Sequence, residues 1–314
     1  MLQDSSNRDV VILIVALSLS QLNCQYAKAA IRQGRQDESV VTMEDIQRLG
    51  EASLDEATRS YIASGADREQ TLRENTAAFS RLRFRPRSLV DVSRIHTATT
   101  VLGRRISFPV GFSPSAAHKI AHEDGEFGTA KAARDAGTVM IVSAMSTASM
   151  EEIRASVPDC LLWQQMYIFR NRSLTESMAR RAAHQGFAAI VVTVDSPVAG
   201  QAVSLSKNMF VLPEGLRFAN LEASWPDRSF TFEPSKEDFV GNLLSSSATW
   251  EDFRWLRGLT PLPLVAKGVM TGVPDVRNLC TDLVVREPYY SQPLHRNCAP
   301  KHPWGDWVQY KIAK

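Results

Sequence analysis

The chain is poor in the features that mark several common classes of protein. Its 314 residues include four cysteines, Cys24, Cys160, Cys280 and Cys298. They are widely scattered with no Cys-x-x-Cys pair, so neither a disulfide framework nor a zinc site follows. Cys280, His295, Cys298 and His302 share the C-terminal stretch, but their spacing fits no standard zinc motif. Net charge is only +2, which implies no acidic partner. The basic run Arg81-Leu82-Arg83-Phe84-Arg85-Pro86-Arg87 stands alone. It reads as a solvated strand or connector, not a nucleic-acid surface, because nothing else in the chain adds to its charge. No apolar run is long enough to span a bilayer as a helix. The longest near the N-terminus, Val10 to Leu19, has the length of a signal-peptide core, with Ala27, Ala29 and Ala30 available for cleavage. The flank before it carries Asp4, Arg8 and Asp9, so the positive charge expected there is weak. Residues 1–27 are thus a possible signal peptide or a non-native leader. A secreted binding protein rests on that leader alone.

What is present is ordinary globular composition, 44% hydrophobic and 22% charged. It is organised around Phe187-Ala-Ala-Ile-Val-Val-Thr-Val-Asp-Ser-Pro197. Ala188 to Val192 read as a strand buried on both faces, as in a parallel sheet. Thr193 and Asp195 then leave one face together, and Pro197 ends the strand. From Val110 onward strands and helices alternate. Strands are expected at Val110–Phe112, Val139–Ser143, Leu161–Ile168, the central stretch and Leu262–Val269. Helices are expected over about 123–136, 149–155, 173–185 and 249–256, with Ser149 and Thr249 as caps and Gly137 and Gly186 as stops. Upstream, residues 42–59 read as one helix capped by Thr42. Such alternation specifies a parallel α/β sheet, open or closed into a barrel. Polar residues recur at each strand's C-terminal end: Ser113 and Ser115, Ser143, Gln165 and Tyr167, Thr193 and Asp195, Lys267. Any one could merely cap a turn. Five in phase fit the functional rim of an α/β barrel.

These residues fall within longer matching pieces: Tyr61-Ile-Ala-Ser-Gly-Ala66, Phe84-Arg-Pro-Arg87, Ser113-Pro-Ser-Ala116, Gln165-Met-Tyr167, Thr193-Val-Asp-Ser-Pro197, Asn208-Met-Phe-Val-Leu-Pro213 and Ala266-Lys-Gly268. In this order and spacing they resemble the FMN-dependent 2-hydroxy-acid oxidases, the group of glycolate oxidase and lactate oxidase. The resemblance implies a TIM-type (β/α)8 barrel with FMN across its C-terminal mouth. Pro114, Ser115 and Ala116 would run beside the flavin ring. Ser143, Gln165 and Thr193 would bond its polar edge, and Lys267 would stabilise the anionic reduced flavin. Tyr61 and Tyr167 would face the substrate, and Asp195 would orient the family's catalytic histidine. The implied reaction takes a 2-hydroxy acid and O₂ to a 2-oxo acid and hydrogen peroxide. Family members are homo-oligomers and are cytoplasmic or peroxisomal; the terminal Ile312-Ala313-Lys314 is no peroxisomal tripeptide.

The chain departs from this pattern twice. The family places a carboxylate-binding arginine seven residues after the Asp of the Thr-Val-Asp motif, where this chain has Ala202. Shortly after the position of Lys267 the family carries a Ser-Asn-His-Gly-Gly/Ala-Arg-Gln segment with its base and second arginine, and later an Asp-Gly-Gly turn and a Gly-Arg pair for the phosphate. None of these occurs here. The expected organisation is a leader (1–41), a partial barrel of about five βα units (42–272) and an irregular tail (273–314). The alternative to an oxidase is a non-catalytic, truncated form that at most binds a partner.

Overall fold

The structure is a computed structural model that describes residues 13–15, 40–198, 200–201, 203–208, 210–225, 243–269, 283–286 and 307–309. In chain order the first elements are β1 (Leu13–Val15), α1 (Met43–Glu51), α2 (Glu56–Ala63) and α3 (Gln70–Arg81). A hairpin of β2 (Thr99–Val101) and β3 (Arg104–Ile106) leads to β4 (Val110–Phe112). The alternating part then runs through α4 (Gly125–Asp135), β5 (Val139–Val142), α5 (Met150–Ser156), β6 (Leu161–Met166), α6 (Arg172–His184) and β7 (Ile190–Thr193). Two short helices, α7 (Val203–Asn208) and α8 (Ala219–Ser224), precede α9 (Trp250–Leu259) and β8 (Leu264–Lys267). The last strands are β9 (Leu283–Arg286) and β10 (Trp307–Gln309).

The five strands expected from the sequence, β4 to β8, lie side by side and parallel in chain order. Three short strands extend this sheet to eight: β1 pairs with β4, and β9 and β10 follow β8, all parallel. Cα atoms of β1 and β10 come within 8 Å of one another, so the sheet curls round on itself. Part of the expected leader and part of the expected irregular tail therefore carry strand structure.

Local chemistry explains the helix starts. Thr42 and Asp45, Ser149 and Glu152, and Thr249 and Asp252 each form a reciprocal capping box. The single helix expected over 42–59 is instead two, because Asp55 adopts extended backbone and accepts the Thr58 N–H, starting α2 afresh. A dihedral signal of that kind is hidden when the apolar stripe runs across the break. Helix α3 and the β2–β3 hairpin, absent from the sequence reading, belong to the segment between the recognised pieces.

Alternation along the strands sorts the core into two layers. Val139, Ile141, Trp163, Ala189, Val191 and Val265 face inward, joined by Val101 and Ile106 of the hairpin. Met140, Val142, Leu162, Met166, Ile190, Val192, Leu264 and Ala266 face the helices. Burial of each of the Val, Ile, Leu and Met side chains among them contributes about 1.5–3 kcal/mol. The hairpin closes the N-terminal end of the sheet, where the Ser107 N–H donates to Gly137 O (2.9 Å). Gly137 has φ +65°, and a Cβ there would lie 2.3 Å from Ser107 Oγ, so glycine is required. With that end sealed by apolar side chains, polar chemistry is left to the C-terminal end.

Candidate functional site

One layer above Ile141, Trp163, Val191 and Val265, the same alternation turns Ser143, Gln165, Thr193 and Lys267 toward the sheet's inner face. All four are buried. Gln165, only 2% exposed, is the hub. Its Oε1 accepts the Ala144 N–H (3.0 Å) and its Nε2 donates to Thr193 Oγ1 (3.0 Å). This amide bridges the ends of β5, β6 and β7. Ser143 Oγ accepts the Met145 N–H (3.1 Å). Lys267 pairs in register with Thr193, and the residue is 7% exposed.

The half-buried loop Pro114-Ser115-Ala116 joins this rim, because the following Ala117 N–H donates to Met145 O (3.0 Å). Ala117 adopts φ +50°, a left-handed turn that folds the loop back toward the strand ends. Beyond the ring lie the two tyrosines. Burial, then the neighbouring Asp195 carboxylate, pushes the Tyr167 phenol up to about 12. Burial, then Tyr167 itself, raises Tyr61 as well, so the two hydroxyls are close enough to affect each other's ionisation. Both stay protonated donors at neutral pH. Tyr61 is held by stacking on Phe210 (4.4 Å between centroids, 14° between planes). The turn that follows its helix is tied to the segment after β7 by the Asp67 N–H, which donates to Gln201 O (2.8 Å).

Asp195 is exposed at its edge of the site, against Gly268. Gly268 has φ +97°, and a Cβ there would lie 2.3 Å from Asp195 Cγ. The carboxylate thus sits directly on a strand end that tolerates no side chain. All ten residues singled out for the site therefore gather at the C-terminal rim. Ala202 lies outside the described residues.

Sequence reasoning missed the groups that hold the rim's loops. Glu126, fully buried in α4, accepts the His118 N–H (3.1 Å) and the Thr147 N–H (2.8 Å) on Oε1 and the Thr147 hydroxyl (2.6 Å) on Oε2. It pins the loop after β4 to the loop after β5. Asn220 of α8, also fully buried, donates to Ser143 O (3.2 Å) and Ser146 Oγ (2.8 Å) and accepts the Met150 N–H (2.8 Å). An acid in a helix's first turn reads from sequence as solvated, and an asparagine in a polar stretch reads as a loop residue. Neither carries a local signal of burial.

A cavity of about 390 Å³ opens beside Tyr167 and Thr193, between the end of β7 and the start of α9. Among the described residues no group of three or more His, Cys, Asp or Glu could hold a metal ion, and no helix is long and apolar enough to cross a membrane.

A parallel α/β barrel sheet, apolar inside, with neutral donors and a buried ammonium at its C-terminal rim, is the layout of a barrel that binds an anionic or polar-edged group there. Comparison with known proteins names the class. The FMN-dependent dehydrogenase family matches over residues 50–281, and the chain belongs to that family. It is 41% identical over 235 residues to glycolate oxidase 3 of Oryza sativa subsp. indica, and 38% identical over 237 residues to human 2-hydroxyacid oxidase 1. Each match covers 74% of this chain and 64% of the relative, so the chain spans just under two thirds of the length of these relatives. Among solved structures, a mandelate oxidase with (S)-4-hydroxymandelic acid superposes with TM-score 0.71 at 30% identity, covering 78% of this chain and 69% of the other. The soluble mutant of the membrane-associated (S)-mandelate dehydrogenase from Pseudomonas putida gives 0.69 at 29%, covering 77% and 68%.

Proposed function

We propose that the rim is the flavin-edge half of a 2-hydroxy-acid oxidase site. The observation that carries this reading is the bonded run from Ala144 through Gln165 to Thr193, with buried Lys267 in register beside it. These residues fit the polar edge of FMN. That edge presents acceptors and a donor in one plane and gains negative charge on reduction. A buried ammonium and oriented amide and hydroxyl groups stabilise such charge far better than water-exposed ones. Ser143, Gln165, Thr193 and Lys267 would hold that edge, and Pro114, Ser115 and Ala116 would run along the ring. When bound, FMN supplies a two-electron acceptor that O₂ can reoxidise, giving peroxide.

The chain's own groups would do the rest. Tyr61 and Tyr167 keep their protons and donate hydrogen bonds to the carboxylate or hydroxyl oxygen of a 2-hydroxy acid. Their stacking and burial keep water out and fix the hydroxyls. Asp195 is the group to orient a base. Bound FMN would supply the acceptor for the α-hydrogen and its electron pair, and Asp195 would orient a base that takes the hydroxyl proton.

A second reading, a chain that binds flavin without turnover, is favoured by a specific observation. The family's histidine and its arginines have no counterpart at the positions where they are expected, within this chain's own length. One preparation tests both readings. Purified protein dialysed against FMN is expected to retain a yellow flavin spectrum, and Lys267→Met should lose it. A colourless protein overturns the flavin site. Flavin retained with no peroxide released from glycolate or lactate selects the non-catalytic form.

A further inference from the structure

We propose that the cavity between the end of β7 and the start of α9 is a second binding site, separate from the rim, for a neutral molecule of two fused aromatic rings bearing a hydroxyl. Ile168, Val192, Leu244 and Phe253, all of the layer that faces the helices, wall it. Ser143, Gln165 and Lys267, which turn to the inner face, are absent from its lining. Three observations define what it takes. First, its walls are preformed. The Ser245 N–H donates to Ile168 O (3.0 Å) and the Arg170 N–H to Leu243 O (3.0 Å), so the segment before α9 is bonded to the segment after β6. The capping box of Thr249 and Asp252 fixes the first turn of α9, and Arg172 of α6 pairs with Asp252. A pocket whose walls are fixed by such bonds costs its ligand little ordering. Second, no charged residue lines it among the described residues, so an ion would be desolvated there without a partner. Trp250 and Phe253 in its lining form an edge-to-face pair (5.8 Å between centroids, 61° between planes), a surface suited to further rings. Ser196 and Ser246 add hydroxyls that suit a ligand with one hydroxyl of its own. Third, its volume is about 390 Å³. An apolar cavity of about 150 Å³ already holds benzene, so two fused rings fit here.

The probe is 2-naphthol, with 2-naphthoate, the same rings carrying a carboxylate, as its charged counterpart. Calorimetric titration of the full chain is expected to show 2-naphthol binding at least about 10-fold tighter than 2-naphthoate. Ala248 and Ser246 line the cavity from exposed positions, so Ala248→Trp and Ser246→Trp fill it without removing core atoms. Each variant should melt like the parent and bind 2-naphthol at least about 10-fold more weakly, and either decides the matter if the other fails to fold. A parent that does not bind 2-naphthol overturns the proposal, as does one that binds the naphthoate equally well. So does 2-naphthol binding that is unchanged in the filled variants, because the probe then sits elsewhere, the flavin rim included.

Discussion

Replacing Gln165 by methionine is the most direct physical probe of the rim. The substitution keeps length and approximate volume, so no cavity is created. It removes both side-chain hydrogen bonds, from Ala144 N–H at 3.0 Å and to Thr193 Oγ1 at 3.0 Å. The Ala144 N–H is buried, so leaving it unpaired costs about 1–3 kcal/mol. The lost bond to the Thr193 hydroxyl adds about 0.5–1.5 kcal/mol. The expected loss is therefore about 1.5–4.5 kcal/mol, a large part of a normal folding free energy. Thr193→Val breaks only the second bond and leaves the Gln165 amide N–H unsatisfied. The pair should be non-additive, with the double variant less destabilised than the sum. Urea denaturation followed by circular dichroism gives each value from the shift in midpoint at constant slope. If Gln165→Met lies within about 0.5 kcal/mol of the parent, the bridge is not a structural tie and the rim is looser than its geometry implies.

Three further outcomes test other parts. Gly268→Ala combines a disfavoured φ of +97° with a 2.3 Å clash on Asp195, and should lower stability by about 2–4 kcal/mol while displacing the carboxylate; a thermal melt within 2 °C of the parent would contradict it. Burial holds the His118 imidazole below its usual value of 6.5, so the unfolded chain binds the extra proton first. The resulting stability is present above about pH 6.5 and is lost as pH falls toward the folded value, and His118→Gln should flatten that part of a urea-midpoint profile. Every residue from 81 to 98 is exposed, among them Phe84 and Leu89. Brief trypsin treatment should cut between Arg83 and Arg94 before it cuts within residues 104–184, and mass spectrometry of the first fragments decides it.

The middle of the chain was legible because each of its signals is local. A capping serine or threonine, a β-branched run and a stop glycine all lie within a dozen residues of one another. The rim was legible for the same reason: strands of period two put Thr193 and Asp195, or Gln165 and Tyr167, on one face whatever the neighbouring strand does. What could not be read depends on partners far apart in sequence. The Glu126 cluster joins residues 21 apart and Asn220 reaches back 70 and 77 residues, so neither leaves a pattern in any window. Likewise Leu13–Val15 and Trp307–Gln309 are too short for periodicity to register, and only their pairing in the sheet makes them strands.

The two departures from the family bear on different steps, and this is why binding and turnover separate. Ser143, Gln165 and Thr193 are held by β5 to β7 and by the bonds of the Gln165 amide, whereas Lys267 lies on β8, which pairs with β7 on one side and with β9 on the other. The fit proposed for these residues to a polar, charge-gaining edge does not itself call on a base. A substrate carboxylate is different. In the family it meets an arginine able to donate two parallel, charge-assisted bonds, a geometry that tyrosine hydroxyls cannot reproduce. In the proposed reading Tyr61 and Tyr167 would supply neutral bonds of about 0.5–1.5 kcal/mol each, against about 1.5–3 for a charged donor.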